Sequence, residues 1–347
     1  MPQRVAIVGS GMIANFHARA IQDAEDCELA GVHSRRPEAT QEFASKYDAK
    51  PYETLDSLLN DTDVNVVSVC TPSGAHLDPA VAAARAGKHV VVEKPLEVTT
   101  ERCDQIIDAC ENAGVRLSVT FQSRFHESSR LLKQAVDAKR FGRVTMGSAY
   151  VKWYRSQEYY DSGAWRGTWK LDGGGALMNQ AIHSVDLLLW LMGDVKRVSA
   201  MTAMMAHERI EVEDVAVATI EFTSGALGII EASTATYPGT FKRIEVSGFS
   251  GSATLEEEGI TQWAFEESHP DDEEILARMS DANETGGGAA DPASIGHHGH
   301  AKLFEEVACS IREDRPSLLD GHEGRRSVEL IEAVYKSAKS GSWIEIG

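Results

Sequence analysis

Short runs of apolar residues, separated by stretches with apolar positions at helical spacing, organise the first part of the chain. Segments 4–9, 28–33, 66–70, 89–93 and 116–121 have strand length and are rich in valine and isoleucine. The intervening segments, near 12–23, 37–47, 54–60, 76–86 and 100–113, read as helices. Strand–helix alternation at this period predicts a parallel, doubly wound sheet. The run Val90-Val91-Val92 has no polar face, as a central strand covered on both sides requires.

The pattern changes after residue 122. One helix (128–139) is followed by segments near 144–154, 195–205, 213–223, 226–234, 241–247, 251–256 and 260–265, several of which alternate apolar and polar residues. Thr223-Ser224-Gly225-Ala226 reads as a hairpin turn between two of them. This predicts a second α/β domain with an open-faced, mostly antiparallel sheet. Between its strands, Gly173-Gly174-Gly175 opens what reads as an amphipathic helix through Met192. Glycine, alanine, aspartate and serine dominate 281–296, predicting a mobile loop, and helices follow at 297–313 and 322–340. The expected domains are 1–122 and 123–347.

Composition narrows the function classes. The chain has 347 residues, enough for two domains, and is 42% hydrophobic and 25% charged, as in ordinary globular proteins. Its longest strongly apolar run, 187–192, is too short to span a bilayer, and no leader-like segment precedes the first strand, so a cytoplasmic protein is expected. Five cysteines without C-x-x-C spacing read as reduced thiols. His297, His298 and His300 invite a metal reading, but no carboxylate or cysteine is spaced to join them, and no metal is expected. A net charge of −19 argues against nucleic acid and anionic membranes as partners. Any anionic ligand must meet a local cluster of basic side chains.

The first strand runs into Gly9-Ser10-Gly11-Met12-Ile13-Ala14. Gly9 permits the tight turn, Gly11 lets backbone approach a pyrophosphate, and Ala14 allows close helix–strand packing. Met12 and Ile13 open the helix, whose free N–H groups and dipole favour phosphate. The end of the second strand lies 20 residues beyond Ala14, where a ribose-reading acid would sit. Here it is Ser34-Arg35-Arg36, which suits a 2′-phosphate and favours NADP slightly over NAD. Lys94 ends another apolar strand, on the side of the sheet where such folds bind ligands.

Four segments coincide in order: the glycine turn, Thr71-Pro72 with His76, Glu93-Lys94-Pro95, and the glycine-opened helix bearing His183 and Asp186. With His300, Arg315-Pro316 and Gly321…Glu323-Gly324 behind them, the set resembles the Gfo/Idh/MocA family of oxidoreductases across essentially the whole chain. The resemblance implies a Rossmann domain over 1–122 that binds NAD(P). There Thr71, Pro72, His76, Glu93, Lys94 and Gln122 join the glycine turn as cofactor contacts. It implies a second domain over 123–347 that binds substrate and supports a homodimer or homotetramer. The implied reaction is hydride transfer between a nicotinamide and a secondary alcohol or ketone of a sugar, cyclitol or nucleotide sugar. Lys94 and His183 are the positions the resemblance makes catalytic. Two alternatives are an NAD-retaining glycosidase that oxidises C3 transiently and a non-catalytic cofactor-binding sensor.

The residue chemistry agrees with those roles. Alcohol oxidation needs a base for the hydroxyl proton, and histidine titrates near working pH. A lysine hydrogen-bonded to the same oxygen lowers the cost of a developing alkoxide. Asn179 lies four residues before His183 and shares its helix face, so it is expected to join Lys94 and His183 as a catalytic residue and to contact substrate by hydrogen-bonding one of its oxygens. The family often has aspartate there; an amide cannot raise the pKa of His183 as a carboxylate would. Some nucleotide-sugar 3-dehydrogenases, including those acting on UDP-N-acetylglucosaminuronate, are similar at this position. Arg155, Trp165 and Arg166 lie in an aromatic, arginine-rich segment suited to sugar faces and to carboxylate or phosphate, and Arg124 is a further expected substrate contact. Tyr159 and Tyr160 are the next candidates for the base.

Overall fold

The computed structural model describes residues 1–280 and 296–347, so the loop expected over 281–296 lies almost wholly outside the described residues. Two compact units emerge, Met1–Gln122 with Gly296–Val328, and Ser123–Ile295 with Glu329–Gly347. The division falls after Gln122, and residues 296–328 return to the first unit, which a single cut of the chain does not anticipate.

In the first unit, β1 (Gln3–Val8), β2 (Cys27–His33), β3 (Lys50–Pro51), β4 (Val66–Val69), β5 (His89–Val92) and β6 (Leu117–Val119) form one sheet in the order 3-2-1-4-5-6. All its pairings are parallel. This is the doubly wound order whose ligands bind beyond the carboxyl ends of the strands. The two-residue β3 is too short to leave a hydrophobic signature. Between the strands run α1 (Met12–Asp23), α2 (Pro37–Tyr47), α3 (Leu55–Leu59), α4 (Leu77–Arg85) and α5 (Thr100–Ala113). Their boundaries follow local chemistry: proline opens α2, Thr54 caps α3 and Thr99 caps α5, and Gly114 ends α5 in a left-handed turn at φ +66°.

The second unit begins with α6 (Glu127–Asp137), β7 (Val144–Lys152) and the short α7 (Gln157–Asp161). Residues Ala176–Ala181 form a π-helical turn that continues into α8 (Ile182–Met192). β8 (Val195–Ala203), β9 (Val215–Phe222), β10 (Leu227–Ser233), β11 (Arg243–Gly248), β12 (Gly251–Glu256) and β13 (Gly259–Phe265) follow, then α9 (Asp272–Ser280). The chain ends with α10 (His298–Arg312), α11 (Gly321–Ser340) and β14 (Ile344–Glu345). The second sheet has the order β13-β12-β11-β7-β10-β9-β8-β14. Only the central pair, β7 and β10, is parallel.

α8 packs on β7 and β11, covering one face of this sheet. Along β9, alternate residues are buried and Val217 and Thr219 are exposed, so the other face is open. The expectation of an amphipathic helix fails for α8. Leu187, Leu188, Leu189, Leu191 and Met192 are all buried, as are Ser184 and Asp186, and only His183 and Trp190 reach intermediate exposure. A helix apolar all round is a core helix.

Candidate functional site

Gly9 turns the chain at φ +124°, and a Cβ there would come within 2.5 Å of the Cys70 carbonyl oxygen. Only glycine fits that turn. α1 then starts with Gly11 as its N-cap, no capping side chain and no acidic residue in its first turn. Among the described residues, a Cβ on Gly11 would meet nothing within 4 Å. The helix thus presents open N–H groups and its positive dipole end beside free space, a fit for pyrophosphate. Ala14 is fully buried, Ile13 half-buried and Met12 exposed. Beyond the end of β6, the buried Oε1 of Gln122 has no hydrogen-bond partner among the described residues. The open helix end and this orphaned oxygen fit a dinucleotide at the carboxyl edge of the sheet.

Past β2, the Ser34 amide donates to Thr40 Oγ1 at 3.0 Å, and the two hydroxyls lie 2.9 Å apart. Arg35 and Arg36 are exposed, and neither guanidinium has a side-chain partner among the described residues.

Beyond β5, Glu93 is buried with Oε1 2.6 Å from His17 Nε2, while its Oε2 accepts the Lys94 amide at 3.0 Å. His17 Nδ1 lies 2.7 Å from Ser68 Oγ on β4. Burial alone would lower the pKa of His17, but Cys70 and Glu93 together raise it to about 10. Burial would likewise raise Glu93, yet its hydrogen bond to His17, and the charges of His17, His300 and Lys94, bring it down to about 2. An ion pair therefore anchors the turn from which the half-buried Lys94 emerges. His76 is buried with Nδ1 2.9 Å from the Pro95 carbonyl and Nε2 2.9 Å from that of Thr71, tying the Thr71-Pro72 turn to the lysine turn.

No motif marks His17, and its only sequence signal is its place on α1. His300, on α10, brings Nε2 to 3.9 Å from Glu93 Oε1. The carboxylate absent from the histidine spacing thus arrives from a distant strand. The ligand atoms of His17, Glu93 and His300 lie within 4.8 Å of one another, but the 2.6 Å histidine–carboxylate contact is that of a charge-assisted hydrogen bond. His297 pairs instead with Asp23 at 2.7 Å.

In the second unit, a chain of polar contacts gathers around the π-helical turn. The Asn179 amide donates to Asp172, and its Oδ1 accepts from Gln180 Nε2 at 2.6 Å. Gln180 Nε2 also donates to the Tyr159 hydroxyl at 3.0 Å, and Gln180 Oε1 accepts from Arg155 Nε at 3.1 Å. Arg166 Nη1 donates to the same hydroxyl at 2.5 Å, and its guanidinium stacks over Tyr159 and Trp165 at 4.2 and 4.6 Å. Four expected substrate contacts, Arg155, Trp165, Arg166 and Asn179, thus join one network. Asp172 and Gln180, which link it, carry no motif signal.

His183 is the second residue of α8, directly after the π-helical turn, and is half-buried. Arg124 is buried, giving Nε and Nη2 to Asp186 at 2.8 and 2.6 Å and stacking over Trp190. That bidentate pair ties the start of the unit to α8. Burial raises the pKa of Tyr159 and Tyr160 above the ordinary phenol range, which disfavours either as a base near neutral pH.

Comparison with known proteins adds the decisive observation. The family model described as an oxidoreductase family with an NAD-binding Rossmann fold matches residues 3–121, and the GFO/IDH/MocA C-terminal domain matches residues 129–254. The chain belongs to the Gfo/Idh/MocA family. Among its relatives is the myo-inositol 2-dehydrogenase of Thermotoga maritima, 30% identical over 72% of this chain and 73% of that protein. The D-glucoside 3-dehydrogenase of Escherichia coli is 26% identical over 99% of this chain and 98% of its own length. The structure of the WlbA dehydrogenase from Bordetella pertussis, in complex with NADH and UDP-GlcNAcA, matches with a TM-score of 0.91. It is 37% identical, covering all of this chain and 98% of that one. This Gfo/Idh/MocA protein is a nicotinamide-dependent oxidoreductase of the sugar-dehydrogenase type. The glycosidase and sensor alternatives draw no support from these relatives.

Proposed function

We propose that the protein oxidises, with a nicotinamide cofactor, a ring hydroxyl of a nucleotide-linked sugar acid of the kind represented by UDP-GlcNAcA. The observation that carries this reading is the full-length likeness to the WlbA dehydrogenase. Local chemistry supports it. Arg166 is a half-buried guanidinium stacked on two rings, with no carboxylate partner among the described residues. On a chain of net charge −19, such a group is where a carboxylate or phosphate can bind. The amide of Asn179, oriented by Asp172 and Gln180, suits a sugar oxygen.

In this mechanism His183 accepts the hydroxyl proton and Lys94 donates a hydrogen bond to the same oxygen, stabilising charge as it develops. A nicotinamide dinucleotide held at the Gly9–Ala14 turn would supply the hydride acceptor for the carbinol carbon. Glu93 and His17 hold the backbone of Lys94 and take no part in proton transfer. Residues 1–122 bind the dinucleotide and 123–347 supply substrate and subunit contacts, with 296–328 supporting the first unit.

For the cofactor, Arg35 and Arg36 beside Ser34 accommodate a 2′-phosphate, so NADP is favoured modestly on charge, while NAD remains a substrate. The exposed face of the second sheet sets Met201 beside Val217 and Leu227 beside Met146, an apolar surface suited to a homodimer or homotetramer. Five free cysteines fit a reducing, cytoplasmic setting, and among the described residues no helix is long and apolar enough to cross a membrane.

The test follows nicotinamide absorbance with UDP-GlcNAcA, myo-inositol and D-glucose, each with NAD and NADP. Reduction with UDP-GlcNAcA at a kcat/KM well above that of either free substrate is expected. Equal or faster turnover of a free sugar or cyclitol overturns the substrate proposal, and equal kcat/KM for both cofactors overturns the cofactor preference.

A further inference from the structure

Glu213, just ahead of β9, is buried and has no motif around it. Its Oε2 accepts the Gly175 amide at 3.0 Å and its Oε1 accepts the Leu177 amide at 2.9 Å. The Tyr335 hydroxyl on α11 donates to Oε1 at 3.0 Å, and the Glu213 carbonyl accepts the Ala176 amide at 3.0 Å. One residue therefore binds three successive amides at the start of the π-helical turn. Those amides are the unsatisfied donors every helix start leaves, and a carboxylate there also meets the positive end of the dipole.

The glycine run is shaped to this grip. A Cβ on Gly175 would lie 1.8 Å from the Glu213 carbonyl oxygen, and one on Gly174 would lie 2.1 Å from the Tyr335 hydroxyl. Two glycines thus let the backbone reach a carboxylate and a phenol that are far away in sequence. The segment so held carries Asn179 and runs on into His183.

We infer that Glu213 is a positioning residue for the dehydrogenase reaction, its carboxylate clamping the turn that sets Asn179 and His183. The inference rests on the proposed role of His183. Around Glu213, Tyr335 faces it from α11 and Tyr160 senses its charge from α7. The adjacent Asp214 turns away, accepting the amides of Met205, Ala206 and His207 and pairing with the His207 ring. Burial raises the Glu213 pKa to about 7 against the pull of its donors. Ionised, the group accepts at both oxygens. Protonated, one oxygen turns donor and the clamp weakens.

Two measurements on the full chain test this. Hydrogen exchange over residues 173–183, corrected for intrinsic exchange, should lose protection in the unmodified protein as pH falls through about 7. In Glu213→Gln the protection should be lower and independent of pH. With UDP-GlcNAcA and NAD as the probe reaction, Glu213→Gln should lower kcat about tenfold or more and remove one ionisation from its acidic limb, leaving the cofactor Kd unchanged. Tyr335→Phe, a milder change, deletes one donor and should move the exchange midpoint to higher pH. Protection that ignores pH in the unmodified protein overturns the inference, as does a Glu213→Gln enzyme with normal kcat and pH profile. If the role of His183 is what fails, His183→Ala keeps normal turnover while the exchange signature of Glu213 persists.

Discussion

His17 shows what one buried histidine contributes when its partner is ionised. Its pKa rises from 6.5 unfolded to about 10 folded, so its stabilisation is complete below 6.5 and is lost as pH climbs toward 10. Glu93 falls from 4.5 to about 2, so its share is complete above 4.5 and is lost as pH drops toward 2. The pair therefore stabilises most between pH 4.5 and 6.5. His17→Ala leaves a buried carboxylate without its partner, a change that typically costs about 3–5 kcal/mol. Urea denaturation should show the largest gap between the two proteins near pH 6 and a smaller one near pH 10, both values following from the two shifts. A gap that does not narrow with pH contradicts the ion pair. Nothing in the sequence announces this contact, because 76 residues separate its partners.

At the scale of elements, the two glycines of the turn separate stability from binding. Gly9→Ala forces a Cβ against the Cys70 carbonyl in a left-handed backbone and should destabilise the first unit by about 1–3 kcal/mol, read as a lower thermal midpoint. Gly11→Ala puts its Cβ within 4 Å of no atom of the described residues, so the melting curve should stay unchanged while cofactor affinity falls. A Gly11→Ala protein with unaltered dinucleotide affinity removes the pyrophosphate from this helix end. Elements with a strong periodic signal were readable from the sequence. α5 begins and ends where its pattern does, at Thr100 and Ala113, because a threonine cap and a glycine stop it. The two-residue β3 and β14 carry too little pattern to be seen, and the start of the π-helical turn is bonded to Glu213, which Tyr335 bonds in turn, remote groups that local periodicity cannot report. The same holds for the site. Glycines and single titratable residues stand out as candidates in the local pattern, whereas the Asp172–Asn179–Gln180–Tyr159 chain depends on tertiary neighbours.

For the whole molecule, the open sheet face and the chemistry are the two claims that reach beyond any one element. Met201 is 81% exposed and Leu227 59%, both on strands whose opposite face is core. Sedimentation at micromolar concentration should give a multiple of 37.7 kDa, and Leu227→Asp should shift the protein toward the single chain. A mass of 37.7 kDa for the unmodified protein contradicts the assembly. The catalytic claim is tested most directly by single-turnover hydride transfer to NAD from UDP-GlcNAcA, comparing the unmodified protein with Lys94→Ala and His183→Ala. General-base and oxyanion contributions are each typically about 10²–10⁴-fold, so each variant should transfer hydride at least about a hundredfold more slowly, with cofactor affinity little changed in His183→Ala. Transfer at the unmodified rate in His183→Ala would contradict the account.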